Sequence, residues 1–198
     1  MKLIIASNNK HKIHEIKEIL GGRFDEILSL LEAGISHETV EDGATFMENA
    51  RKKAREIAEL SGLPTLADDS GLCCDALDGA PGIYSARFAG LDGSHATDEA
   101  NNRRLLELLS DKADRSAHYT CAISLVFPSG ETVECEGYMH GRIIDTPRGS
   151  HGFGYDPIFL PDGYARTVAE LSDEEKNAIS HRGNALRKLY LMLHNEPS

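Results

Sequence analysis

Positive charge is in deficit in this sequence. Its 21 Lys and Arg stand against 32 Asp and Glu, a formal net charge of −11. A field of that sign repels a polyphosphate backbone and argues against a broad DNA- or RNA-binding surface. Any anionic ligand must then be met by a few local cations or by a metal. Long apolar runs are missing too: nothing approaches 18 consecutive apolar residues, so no membrane-spanning helix is expected. The opening MKLIIASNNK has too short an apolar run for a secretory h-region and turns polar at once. The four cysteines, Cys73, Cys74, Cys121 and Cys135, include no C-x-x-C pair. That spacing argues against a zinc ribbon or disulfide scaffold and points to reduced thiols in a cytoplasmic protein. There is no G-x-x-x-x-G-K-[ST] and no full dinucleotide glycine fingerprint, which removes P-loop and Rossmann readings.

What remains is the composition of one folded domain, 40% hydrophobic and 27% charged over 198 residues, long enough to bury about 70% of its unfolded surface. Residues 2–6 read as a buried strand broken by Ser7-Asn8-Asn9. Ile13, Ile16, Ile19 and Leu20 then recur at helical spacing until Gly21-Gly22. Thr45 with Glu48 three residues on predicts a capping box. The helix it opens carries Ala50, Ala54, Ile57 and Ala58, with Lys52, Lys53 and Arg55 expected on its solvated face. A short strand over 64–67 delivers Asp68-Asp69-Ser70-Gly71. Residues 78–95 read as a structured loop, 97–109 as a helix, and 118–127 with 131–139 as a β-hairpin around Pro128-Ser129-Gly130. A further strand at 141–144, a glycine-rich loop over 147–161, a capping box at Ser172–Glu175 and a final helix through Leu193 complete an α/β chain with no repeat or linker.

Candidate chemistry lies at element ends, where open α/β sheets bind ligands. The stretch Ser7, Asn8, Asn9, Lys10, His11 and Lys12 leads into a helix N-terminus. Its N–H groups, the Ser7 hydroxyl, the Asn9 amide and Lys12 suit phosphate oxygens. The plain alternative is that Ser7 or Asn9 caps the helix and Lys12 is solvated. Asp68 and Asp69 would repel each other unless a cation or proton intervenes. One or two carboxylates beside phosphate oxygens suit Mg²⁺. Neighbours in an extended segment point to opposite faces, so one of the pair meets a metal and the other a water or a cationic partner. A solvated acidic turn is the competing reading. Glu41-Asp42-Gly43 is a weaker signal, either a second metal carboxylate at Glu41 or an ordinary turn before the Thr45 cap, and Glu48 reads as a cap. In Gly149–Pro157, Phe153 or Tyr155 could stack on a flat ring, with Gly154 among the backbone groups and Asp156 reading its edge. Lys176, His181 and Arg182 fall near a helix start, where basic groups favour a ligand role. His14, His37 and His118 show no clustering, and no His is placed to activate a thiol. The residues alone describe a Mg²⁺-dependent enzyme acting on a phosphorylated ring compound.

Taken together, ASNNKHKIHE (6–15), VEDGATFMENA (40–50), ADDSGL (67–72), GAPGIYSARF (79–88), GFGYDPIF (152–159) and SHRGNALRKL (180–189) resemble the inosine triphosphate pyrophosphatase family. The resemblance implies a single elongated α/β domain over 1–198, with a mixed central sheet, flanking helices and a cleft between two lobes. It also implies a homodimer and hydrolysis of ITP, dITP and XTP to the monophosphate and pyrophosphate. Ser7, Asn9 and Lys12 match the family's phosphate-binding positions. Glu41 and Asp69 match its metal carboxylates, Asp69 being also the candidate base. Ser70 matches a substrate contact, and Phe153 to Asp156, Lys176, His181 and Arg182 match its base and sugar segments. Donors from Arg182, His181 or loop amides are expected to select the 6-oxo group over adenine's amino group. A nucleotide pyrophosphatase of different or broad base specificity, and a nucleotide-sensing protein without turnover, remain the alternatives.

Overall fold

A computed structural model describes residues 1–90 and 94–194. Six strands lie in the order β2-β1-β3-β4-β5-β6. They are β1 (Lys2–Ile5), β2 (Glu26–Ser29), β3 (Thr65–Cys74), β4 (Ser116–Val126), β5 (Thr132–Ile143) and β6 (Phe159–Pro161). The helices are α1 (Lys10–Leu20), α2 (Phe46–Ser61), α3 (Asp98–Leu109), α4 (Asp173–Ile179) and α5 (His181–His194). The sheet is mixed: β1 runs parallel to β2 and β3, and β6 antiparallel to β5. The expected α/β class with flanking helices is what forms.

The chain divides into two compact units. The first holds Met1–Asp69, Cys121–Gly137 and His181–Ser198, the second Ser70–Thr120 and Tyr138–Ser180. In the first unit, strand alternation sorts side chains into two cores. Leu3, Ile5 and Leu66 pack with Ile16 and Leu20 of α1 and with Ala185, Leu186 and Leu189 of α5. Ile4, Ala6 and Ala67 pack with Ala54, Ile57 and Ala58 of α2. Burying each such Ile or Leu stabilises by about 1.5–3 kcal/mol. Helix α5 settles on β5 at Gly137, where any Cβ would collide with the backbone of His181 and Ala185. In the second unit, Leu72 and Cys74 of β3, Ala117 and Tyr119 of β4, and Met139 and Ile143 of β5 share a core with Leu105 and Leu109 of α3 and with Tyr155, Ile158 and Phe159.

Several boundaries differ from the sequence reading. β3 does not stop at residue 67 but runs on through Cys74, so Asp68 and Asp69 lie inside a strand rather than in a turn. The strand expected at 141–144 is largely the end of β5. β2 was not anticipated, and β6 lies within the expected 147–161 loop. The last helix is two: α4 ends at Ile179 and α5 starts at His181, so Lys176 is not on the helix that carries Arg182. Part of the 78–95 loop, residues 91–93, falls outside the described residues. At the start of α2, Thr45 Oγ1 accepts from Glu48 N at 3.1 Å, but the Glu48 carboxylate accepts from Ala44 N, one residue beyond the cap.

Candidate active site

The side-chain alternation of β3 sets the site of the first unit. Asp68 follows Leu66 onto the α1/α5 face, and Asp69 follows Ala67 onto the α2 face. Each carboxylate therefore meets a different set of partners.

On the α1/α5 face, Asp68 Oδ2 lies 3.1 Å from Lys12 Nζ and 3.2 Å from Arg182 Nη2. The Arg182 guanidinium also grips Glu15, and its side chain is only 1% exposed. Burial alone would raise the pKa of Asp68, but Lys12, Arg182 and Lys53 outweigh it and hold the carboxyl well below the usual range. Lys12 is therefore not solvated. Asn9 caps α1, its Oδ1 accepting from His11 N at 3.0 Å and Lys12 N at 3.3 Å, and Ser7 Oγ accepts from Asn9 N at 3.1 Å. Asn8 and Lys10 line an open cavity of about 900 Å³ along α1 with Ile13, His14 and Lys17. His11 is exposed and His181 is buried.

On the α2 face, Asn49 Nδ2 donates to Asp69 Oδ2 at 3.1 Å while Asn49 Oδ1 accepts from Gly43 N at 2.8 Å. One buried amide thus ties the Glu41-Asp42-Gly43 turn to Asp69. Lys53 Nζ lies 2.9 Å from Glu41 Oε1 and 3.9 Å from Asp69 Oδ1, with its side chain 12% exposed. Its expected place on a solvated face is corrected here. The sequence did carry the signal: Lys53 is three residues after Ala50 and four before Ile57, on the edge of the buried stripe. Burial pulls the Lys53 pKa down, yet Asp69, Glu41 and Asp68 more than reverse it. Burial raises Asp69, against the pull of Lys53 and Lys12. The sequence reading gives no site role to Asn49 or Lys53.

In the second unit, Asp156 is a hub. Its Oδ2 accepts from Lys176 Nζ at 3.0 Å and from Phe153 N at 3.1 Å, and its Oδ1 accepts from Tyr119 Oη at 3.2 Å. Burial pushes its pKa up, opposed by Lys176 and these hydrogen bonds. Gly152 has φ +76°, and a Cβ there would strike the Asp156 carboxylate. Lys176 Nζ sits 4.7 Å from the Phe153 ring centroid, a cation–π contact. Tyr155 is a core residue, 3% exposed, with its hydroxyl donating to Ser85 O at 2.8 Å. That leaves Phe153, which is half-buried, as the ring available for stacking. Gly154 N donates to Asp98 Oδ2 at 2.7 Å, and its carbonyl accepts from Asn102 Nδ2 at 3.2 Å. Ser70, half-buried, opens the part of β3 that belongs to this unit.

All four cysteines are free thiols. Burial pushes Cys74 up to about 12 and Cys135 up to about 11, which keeps both protonated.

Residues 3–192 match the Ham1 family. The chain belongs to the Ham1 family. A dITP/XTP pyrophosphatase of Exiguobacterium sp. is 51% identical to this Ham1-family chain over 96% of it and 95% of the relative. One of Clostridium perfringens is 50% identical over 95% of each. Among solved structures, the Ham1 protein of Staphylococcus aureus superposes with TM-score 0.88 at 42% identity over 100% of both chains. That of Coxiella burnetii gives 0.89 at 42% identity, covering 99% of this chain and 100% of its own. No helix of the described Ham1-family chain is long and apolar enough to cross a membrane.

Proposed function

We propose that the chain is a nucleoside triphosphate pyrophosphatase that hydrolyses ITP, dITP and XTP at the α-phosphorus, releasing the monophosphate and pyrophosphate. The observation that carries this reading is the pair of adjacent carboxylates turned to opposite faces of β3. Asp68 is charge-balanced by Lys12 and Arg182, and Asp69 faces Glu41 and Lys53. The curated dITP/XTP pyrophosphatases at about half identity over nearly the full length support the same reaction.

Among the described residues no three His, Cys, Asp or Glu side chains are gathered into a ready-made metal site. Mg²⁺ does not need one, since it takes one or two carboxylates and completes its shell with water and phosphate oxygens. Glu41 and Asp69 fit this: the Lys53 ammonium already bridges them as a stand-in cation. When bound there, Mg²⁺ would neutralise charge on the triphosphate. In the chemical step a water oriented by Asp69 attacks phosphorus and passes its proton to that carboxylate, whose burial favours the protonated form. Lys12 and the N-terminus of α1 take up the charge leaving with pyrophosphate. Phe153 and Lys176, fixed by Asp156, are the candidates for ring contacts. Arg182, buried between two carboxylates, acts as a positioning residue for Asp68 and Lys12. We place the enzyme in the cytoplasm as a homodimer working on free nucleotides.

Pyrophosphate release from ITP, dITP, XTP, GTP, ATP and dUTP, with Mg²⁺ and with chelator, tests the reading. Selective, metal-dependent turnover of the first three is expected. Broad turnover would favour a general nucleotide pyrophosphatase, and binding without turnover a sensing protein. Lys53→Met should lower kcat/KM for dITP by about 10²-fold, since it removes a preorganised charge from the α2 face. Full recovery at high Mg²⁺ would mean that Lys53 only holds the metal's place.

A further inference from the structure

The alternation that buries Leu72, Cys74, Ala117, Tyr119, Met139 and Ile143 in the second unit sends their neighbours to the other face of the sheet. Asp75, His118, Tyr138 and His140 are on that face. The hydrogen bonds Phe127 N to Glu131 O and Ile143 N to Arg115 O fix one register, in which His118 stands directly opposite His140. Their ring centroids are 5.5 Å apart, with Tyr138 6.3 Å from each. His118 Nδ1 is 4.0 Å from Asp75 Oδ1, and its side chain is 30% exposed. His140 is exposed. His118, read from the sequence as unclustered, is therefore half of an imidazole pair.

Two imidazoles bound to one tetrahedral ion at a metal–nitrogen distance of about 2.1 Å have centroids about 5 Å apart. The observed spacing is close to that chelate geometry without any movement of the strands. A ligating imidazole usually gives its second ring N–H to a carboxylate, which fixes its tautomer. Asp75 Oδ1, 4.0 Å from His118 Nδ1, is the carboxylate placed nearest that role. We infer that His118 and His140 form a two-imidazole site for a borderline divalent ion of the Zn²⁺ or Ni²⁺ class, with Asp75 as the orienting carboxylate and water completing the coordination. It differs in ligand chemistry from the all-carboxylate Glu41/Asp69 pair, because imidazole favours transition ions and carboxylate favours Mg²⁺. The inference does not depend on the nucleotide reading.

Calorimetric titration of the full-length protein with ZnCl₂ and with NiCl₂, in excess Mg²⁺, tests it. The wild type should bind one ion of each that is absent or at least 10-fold weaker in His118→Gln/His140→Gln. Asp75→Asn should weaken binding by about 10-fold, in line with other carboxylates behind metal-bound histidines. Both histidines are at least partly exposed, so the double variant should fold, with circular dichroism and dITP turnover as checks. Titration followed by histidine-ring NMR should shift the His118 and His140 resonances together. Equal affinity in wild type and double variant, or shifts confined to other histidines, would overturn the site. So would the absence of binding to the wild type.

Discussion

Asp69→Asn should keep the fold and lose pyrophosphate release from dITP by about 10³-fold, the middle of the range for removing a positioned general base. The replacement is isosteric, and the asparagine oxygen can still accept from Asn49 Nδ2, now 3.1 Å from Asp69 Oδ2. What changes is the atom that faces Lys53. A carboxylate oxygen 3.9 Å from the ammonium becomes an NH₂ group, unable to accept a proton and poor as a metal ligand. A melting temperature within a few degrees of the parent, together with the lost rate, is the expected pattern in a steady-state assay at saturating Mg²⁺. Activity within tenfold of the parent would move the base to Asp68. That outcome would be hard to reconcile with Asp68's own partners, because a carboxylate held well below the usual range by Lys12, Arg182 and Lys53 is a weak proton acceptor.

The largest stability effect should come from Arg182→Met. The side chain is 1% exposed and links Asp68 to Glu15, both themselves buried. Breaking a buried pair by removing one partner costs about 3–5 kcal/mol, because the remaining charge stays buried. In a chain of this size each kcal/mol moves the melting temperature by about 2–4 °C, so a fall of about 10 °C or more is expected by scanning calorimetry. The same variant separates two roles for the guanidinium. If it positions Asp68 and Lys12, the ratio of dITP to dATP turnover should stay near the parent value at a temperature where the variant is folded. A collapsed ratio with an unchanged melting temperature would return Arg182 to direct base recognition.

The legible parts of the molecule were those that depend on local chemistry. Thr45 is readable as a cap, Asn9 as either a cap or a phosphate contact, the strand–turn–helix start as the opening of an α/β sheet, and the Asp68-Asp69 pair as a place that needs a cation. The opposed facing of those two carboxylates also followed from strand geometry alone. What the sequence withheld was how far a strand continues. Ser70 and Gly71 look like a turn, yet they lie inside β3, which runs on to Cys74 as the sheet neighbour of β4, well past its register with β1 at Thr65 and Leu66. Lysine reads as solvated by default, so the place of Lys53 at the edge of the Ala50–Ile57 stripe signals its burial but not its partners, and only the folded chain brings Glu41 and Asp69 to it. Asp156 looked like an edge reader, whereas Tyr119 and Lys176, 37 and 20 residues away in sequence, make it an internal anchor. Long-range pairings of this kind leave no local trace.

The bare α-carbon at Gly137 has a reach well beyond β5. Because nothing projects from it, α5 can lie against the strand at backbone distance, and that depth is what brings Arg182 down to Asp68. A single methyl at 137 would act as a wedge under the first turn of α5, lifting the cation off its carboxylate while leaving every residue of the site chemically unchanged. Position 137 therefore works as a spacer of zero thickness. Variation there is constrained by the clearance between two backbones, and a survey of tolerated substitutions should find it as intolerant as the charged residues it never touches.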